Sequence, residues 1–256
     1  MLGSGSSGNA TVVHSGDGAI LVDAGFSGKE VLRRMELAQI EPADIRAVLV
    51  THEHQDHSKG AAVLARRWDV PLYANRATAE AMSRRCKQMP DLRLFMAGQA
   101  FEVDPFRVAP FTVPHDASDP VAFTVHLGET KIGMATDIGH VNHVITHHLR
   151  ECDALVLECN HDIEMLRESD RPWKLKRRIL SRHGHLSNEA GVELMREVLH
   201  FRTRHIVLAH ASRECNRYEL IETVAANQLA ASGRTDMQLA VARQDIPTET
   251  CWIARP

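Results

Sequence analysis

The sequence has 256 residues, a formal net charge of -3, 44% hydrophobic residues and 25% charged residues, a globular balance that excludes disorder, collagen and coiled coil. This length suits one large domain or two small ones, and it needs no disulfide or structural metal merely to stay folded. The near-neutral charge leaves no global basic footprint, so contact with nucleic acid requires a local patch.

Gly3–Gly8 reads either as an expression-tag scar or as native chain, since it runs directly into the strand-like Asn9–His14. Apolar runs rich in Val and Ile predict further strands over Gly18–Asp23, Ala47–Thr51, Val70–Ala74, Phe106–Pro110, Val121–His126, Lys131–Thr136, Ala154–Glu158 and His205–Ala209. Helical periodicity predicts Lys29–Leu37, Ser58–Trp68, Asn188–Leu199 and Glu219–Ala231, the third opening with an Asn and a Glu suited to capping. No internal repeat or flexible linker interrupts this order, which predicts one α/β domain over 1–256, with two sheets and helices outside. No apolar run approaches the roughly 20 residues of a membrane span, and the start has neither a basic nor an apolar leader region. Five scattered cysteines without a CxxC pair read as reduced packing thiols. Together these features predict a cytoplasmic protein that does not engage membranes.

The unusual count is His: 16 residues against 5% aromatic, which points to metal or proton chemistry. Thr51-His52-Glu53-His54-Gln55-Asp56-His57 sets three His and one Asp at fixed offsets. His52 and His54 alternate where the strand Ala47–Thr51 opens into a turn, so both side chains converge on one point. Asp56 and His57 follow at the start of the next helix, from which they reach a neighbouring position. Such nitrogen and oxygen donors suit Zn, Mn or Fe. The cluster holds too many donors for one four-coordinate ion with open space, so two divalent ions are expected; a His-rich surface loop is the bland alternative. Asp23, His115, Asp137 and His210 each close an apolar strand, which puts several strand ends at one edge, where open α/β sheets bind ligands.

THEHQDH, with Asp23 upstream and His115, Asp137 and His210 downstream in that order, resembles the metallo-β-lactamase superfamily, whose fold is a four-layer αββα sandwich. GSGSSGNA, LVDAGFSGKE, HDASDPVAFT, LECNHDIEML, RPWKLKRRIL and GHLSNEAG look like signatures of its YycJ/WalJ group of bacterial metallohydrolases, in whose terms the Gly/Ser start is native. The resemblance implies His52, His54 and His115 on one metal, Asp56, His57 and His210 on the second, and Asp137 bridging the pair. Asp23 would orient the His loop through hydrogen bonds, and Asp116 would orient His115.

Departures from the wider superfamily narrow the chemistry. A Cys stands at the Asp137 position in the lactamases themselves. The stretch from Asp137 to His210 is too short for the domain that β-CASP nucleases insert, and too little chain follows His210 for the helical domain of glyoxalase-type thioesterases. An all-oxygen bridge favours two metals about 3.5–4 Å apart sharing a hydroxide, an arrangement suited to phosphodiester hydrolysis. Gly184-His185-Leu186-Ser187 resembles the HxS motif of RNase Z-type phosphodiesterases, and Glu158 resembles that histidine's acidic partner. The catalytic roles then fall to Asp56, His185 and Glu158, with His185 protonating the departing oxyanion and Glu158 orienting it; the other reading of His185 is a helix cap.

Arg167, Arg171, Lys174, Lys176, Arg177, Arg178 and Arg182 crowd the approach to His185 around Trp173. A basic helix carrying one aromatic suits a phosphate backbone with a base stacked on the ring, and it also suits a merely solvated face. Candidate substrate contacts are Asn160, His161, Trp173, Lys174, Lys176, Arg177 and Arg178, with helix capping as the alternative for His161. His140, His143, His147 and His148 read as a polar helix face. The favoured function is a dinuclear metal-dependent phosphodiesterase acting on nucleic acid, a DNA exonuclease by family likeness. The alternatives are a small-molecule hydrolase cleaving a cyclic phosphodiester or thioester at the same metals, and a non-catalytic binding protein.

Overall fold

The structure is a computed structural model that describes residues 1–253. One sheet runs β1 (Thr11–Ser15), β2 (Gly18–Val22), β3 (Ile45–Leu49), β4 (Leu72–Asn75) and β5 (Leu92–Phe95) in spatial order, antiparallel between β1 and β2 and parallel thereafter. The other contains β6 (Phe101–Val103), β7 (Phe106–Thr112), β8 (Val121–Leu127), β9 (Thr130–Ala135), β10 (Ala154–Glu158), β11 (His205–Ala209) and β12 (Gln238–Val241). It is antiparallel from β6 to β9 and parallel from β9 to β12. The helices are α1 (Gly28–Leu37), α2 (Gln55–Ser58), α3 (Ala61–Trp68), α4 (Arg76–Ser83), α5 (His143–Leu149), α6 (Ile163–Glu168), α7 (Trp173–Ile179), α8 (Asn188–Val198) and α9 (Tyr218–Ala231).

Period-2 alternation explains the layering, because successive strand residues face opposite sides of a sheet. On β2, Ile20 and Val22 enter a core between the two sheets, while Ala19 and Leu21 pack with Val31, Met35 and Leu64 of α1 and α3. On β11, Val207 and Ala209 enter the inter-sheet core, while Ile206 and Leu208 pack with Leu194, Met195 and Ile221 of α8 and α9. Three apolar interfaces therefore separate four layers, αββα, as expected. Phe123, fully buried between the sheets and edge-on to Phe95 at 5.6 Å, anchors the middle interface. Phe123→Ala is expected to cost about 3–5 kcal/mol, read as a lowered urea midpoint at unchanged m-value.

The single helix expected over Ser58–Trp68 is two, α2 and α3, broken at Gly60. There the backbone packs so closely that a Cβ would lie 2.3 Å from the Phe26 carbonyl oxygen, and the Gly60 amide donates to the Ala24 carbonyl at 2.7 Å. Helix α8 is capped by Ser187, whose hydroxyl accepts from the Ala190 amide at 3.2 Å, rather than by its Asn. All five cysteines are free. Among the described residues no helix is long and apolar enough to cross a membrane.

β7, β9, β10 and β11 run in one direction, so their C-terminal ends share an edge. The carbonyl of Thr51, just after β3, accepts from the amide of Val121 at the start of β8 and joins the two sheets there. Asp23, Asp137 and His210, just past β2, β9 and β11, all adopt left-handed backbone conformations, with φ of 60°, 58° and 61°. Such residues persist where their surroundings over-determine them, and they cluster at functional sites.

Candidate metal centre

The His loop is clamped at both ends by one carboxylate. Asp23 accepts from the Thr51 amide at 2.8 Å and pairs with His57 Nδ1 at 2.8 Å. Thr51 Oγ1 lies 3.0 Å from His52 Nδ1. Glu53, inside the motif, accepts from the Ser118 amide and hydroxyl at 2.9 and 2.7 Å and so ties this loop to the one carrying His115. The sequence reading gave Glu53 no role.

Histidines from the second sheet are fixed in the same manner. His115 Nδ1 donates to the Gly184 carbonyl at 3.0 Å, and His210 Nδ1 and His185 Nδ1 each pair with Glu158 Oε1 at 2.9 Å. A carbonyl or carboxylate acceptor places the proton on Nδ1, which leaves the Nε2 lone pair for other work. Glu158 is fully buried and also accepts the Asp137, Ile138 and Leu186 amides. Burial alone would raise its pKa, but His185 and then His210 outweigh burial and hold it at about 2.

The rings of His52, His54 and His115 form a triangle with centroids 4.7, 5.2 and 5.1 Å apart. Beside it, Asp56 Oδ2 lies 3.8 Å from His57 Nε2 and 3.6 Å from His210 Nε2. Asp137 stands between the groups, 3.1 Å from His57 Nε2, 3.4 Å from His210 Nδ1 and 3.6 Å from His115 Nε2. Within each of the sets His52/His54/His115, His52/His57/Asp137 and Asp56/His57/His210, potential ligand atoms lie within 4.8 Å of one another. Asp137, Glu158, His185 and His210 form a fourth set, but there Glu158 already receives both imidazole Nδ1 atoms. Among the described residues, His52 Nε2, His115 Nε2, His210 Nε2 and Asp137 Oδ2 are buried without any hydrogen-bond partner. Buried polar atoms ordinarily have partners; these four converge from different strands, and divalent cations fit them.

The charges point the same way. Burial disfavours protonation of His57 and His210, yet nearby Asp137, with Asp23 at His57 and Asp56 and Glu158 at His210, raises both pKa values, that of His210 to about 10. Burial pushes His52 well down. A raised His pKa stabilises the folded chain below about pH 6.5 and loses that contribution as pH climbs toward 10. A cation must displace the same proton. Its apparent affinity is therefore expected to rise at least tenfold per pH unit between pH 6.5 and 8.5, checked by calorimetric titration at the two pH values; a flat profile would contradict this proton competition.

A cavity of about 430 Å³ opens over these groups. His54, Asp56, His115, Asp137, Asn160, His185 and His210 line it, together with Arg85, Arg171 and Arg178. Several expected substrate contacts lie elsewhere. Trp173, Lys174 and Arg177 are exposed, and none of them lines the cavity. Lys176 is buried with its ammonium on the Arg167 carbonyl at 2.6 Å, which withdraws it from any substrate surface. His161 is buried below the surface, its pKa pushed down to about 4 by burial. Asn160 lines the cavity and also donates to the His210 carbonyl at 2.7 Å. Asp116 Oδ1 lies 3.4 Å from His115 Nε2, while the Gly184 carbonyl accepts from His115 Nδ1; the Asp116 carboxylate also forms a two-point pair with Arg178. His148 stacks on Phe111 at 4.6 Å and His140 contacts Arg182, as befits a helix face and its approach rather than a further metal site. Arg85 and the N-terminal residues Ser4 and Asn9, all close to the site, were not singled out from sequence: Arg85 sits in a short basic stretch with Arg84 and Lys87, far along the chain from the His motif, and a Gly/Ser run carries no catalytic side chain.

An αββα sandwich with a buried His/Asp centre at the shared edge of its sheets defines a metal-dependent hydrolase. A family model described as a beta-lactamase superfamily domain matches residues 19–211. The chain is 39% identical to the exodeoxyribonuclease YycJ of Bacillus anthracis across 91% of this chain and 89% of that one. It is 38% identical to the exodeoxyribonuclease WalJ of Streptococcus pneumoniae across 90% and 87%. In fold it is similar to the metallo-beta-lactamase fold protein YhfI from Bacillus subtilis, with TM-score 0.71 at 16% identity over 94% of each chain. The short form of human tRNase Z is similar as well, with TM-score 0.63 at 17% identity over 83% and 92%. The chain belongs to the metallo-β-lactamase superfamily, within its YycJ/WalJ group.

Proposed function

We propose that this chain, folded as one domain over 1–256 and working in the cytoplasm, hydrolyses DNA phosphodiesters from strand ends with two divalent cations, Mn or Zn before Fe. The observation that carries this reading is Asp137: a buried carboxylate between two sets of donors, at the floor of a cavity edged by three arginines. His52, His54 and His115 would hold one cation, Asp56, His57 and His210 the other, and Asp137 both. Bound cations supply an activated water and neutralise charge developing on the phosphoryl oxygens. Asp23 and Glu158 keep His57 and His210 in the tautomer whose Nε2 carries a lone pair. His185, partly exposed in the cavity with Nδ1 held by Glu158, turns Nε2 toward the departing oxyanion as its proton donor. The DNA preference and the exonucleolytic mode are supported by the YycJ and WalJ relatives, whose names state that activity.

End-labelled single- and double-stranded DNA and RNA, incubated with Mn, Zn or Fe in turn, test the reading. Progressive shortening of DNA that chelation abolishes is expected; intact DNA alongside hydrolysis of a small phosphodiester would overturn it. Arg178 and Arg171 line the cavity, whereas Arg177 does not. Arg178→Ala is therefore expected to weaken DNA binding and lower the log–log salt slope by about 1, with Arg177→Ala leaving both unchanged in fluorescence-anisotropy titrations.

A further inference from the structure

The N-terminal Gly/Ser loop and Gln244 lie outside residues 19–211, the span of the family match, yet they form a buried hydrogen-bonded unit beside the metal centre. Ser4 and Asn9 are 0% and 4% exposed and Gln244 is 1% exposed. The Asn9 amide donates to the Asp56 carbonyl at 2.7 Å, and Asn9 Nδ2 lies 3.3 Å from that oxygen and 3.0 Å from His57 Nε2. Asn9 Oδ1 accepts from the Ser4 hydroxyl at 2.7 Å and the Gly5 amide at 3.0 Å. Ser4 Oγ in turn accepts the His210 amide at 2.9 Å. Two polar side chains thus reach Asp56, His57 and His210, while no hydrogen bond from this loop reaches His52, His54 or His115 among the described residues. That asymmetry separates a role at one cation position from general packing.

The loop is itself held from a distance. Gln244 Oε1 accepts the Ser7 amide at 2.7 Å and Gln244 Nε2 donates to the Gly8 carbonyl at 2.8 Å. Arg34 ties the Leu2 and Gln244 carbonyls together at 2.8 and 2.9 Å. On the other side, Gly25 donates to the Asn9 carbonyl and packs so close to the Asp56 carbonyl that a Cβ there would lie 1.7 Å away. Asp56 is therefore gripped between Gly25 and Asn9.

We propose that residues Gly3–Asn9, locked by Gln244, are a positioning element for the cation held by Asp56, His57 and His210. This rests on the reading above that those three residues hold a cation. Asn9 and Ser4 touch no cation; Asn9 fixes the Asp56 backbone and Ser4 that of His210, the contact of Asn9 Nδ2 with His57 Nε2 being given up when that nitrogen takes a cation, and such supports set metal affinity by about 10–100-fold. The cation on His52, His54 and His115 does not depend on them.

Manganese titration of the full-length protein, followed by calorimetry and by electron paramagnetic resonance, tests this in wild type, Ser4→Ala, Asn9→Ala and Gln244→Ala. Wild type is expected to bind two Mn²⁺ with an exchange-coupled signal. Each variant is expected to bind the first ion as wild type does, to bind the second roughly 10–100-fold more weakly, and to show an isolated Mn²⁺ signal at intermediate metal. Gln244→Ala contacts no donor residue and Ser4→Ala removes one oxygen, so these two carry the test if Asn9→Ala does not fold. Two undiminished sites in both, or equal weakening of both sites in step with a lowered Tm, overturns the proposal. A wild-type protein binding fewer than two ions would instead overturn the ligand assignment beneath it.

Discussion

Asp137→Asn is expected to lower kcat/KM on a phosphodiester by about 10³-fold or more while the protein stays folded. The substitution keeps the shape and removes a charge that lies within 3.6 Å of His57, His115 and His210 ring nitrogens. Cation-mediated charge neutralisation contributes several kcal/mol, and each 1.36 kcal/mol is tenfold in rate. The same charge helps to hold up the pKa values of His57 and His210, so its loss makes the cation-free site less prone to take up protons. The rise in Tm that added Mn²⁺ gives the wild type should shrink or vanish in the variant. Two bound cations and a near-normal rate in Asp137→Asn would remove this residue from the centre.

His185→Ala should cost about 10²–10⁴ in kcat with the bound cations retained, the range expected when a positioned acid is lost. Glu158→Gln should be worse and different in kind. A single oxygen, Glu158 Oε1, receives both His185 Nδ1 and His210 Nδ1, so this change disturbs the proposed acid and a proposed cation ligand together. Its product should show lower metal content as well as lower turnover. Metal analysis beside single-turnover kinetics separates the two variants. An unchanged rate in His185→Ala would leave this histidine as no more than part of the loop before α8.

Much of this was legible because the informative residues follow strong local rules. Asp23, Asp137 and His210 close continuous apolar strands, and the His52–His57 offsets straddle a strand-to-helix turn, so their convergence follows from topology. Partnerships were less legible. That Glu158 serves two histidines, that the Gly184 carbonyl holds His115 Nδ1, and that Lys176 turns inward depend on tertiary packing that no spacing encodes. The basic run around α7 illustrates the difference: helical rotation sends Arg178 to the cavity, Lys176 to a backbone carbonyl and Arg177 to solvent. The break between α2 and α3 was missed because periodicity runs smoothly through Gly60, whose need for a close backbone approach appears only in three dimensions.

The inter-sheet edge has a consequence for the chain as it is made. The His52–His57 loop leaves the first sheet, while His115, Asp137 and His210 come from the second, so neither proposed ion has its full set of donors within one half. Domains generally fold as units during synthesis, N-terminal portions first. On the proposed ligand set, the donors of the second ion are complete only once β11 has emerged and docked, so a chain truncated before that point lacks His210 and the two-ion centre built on it.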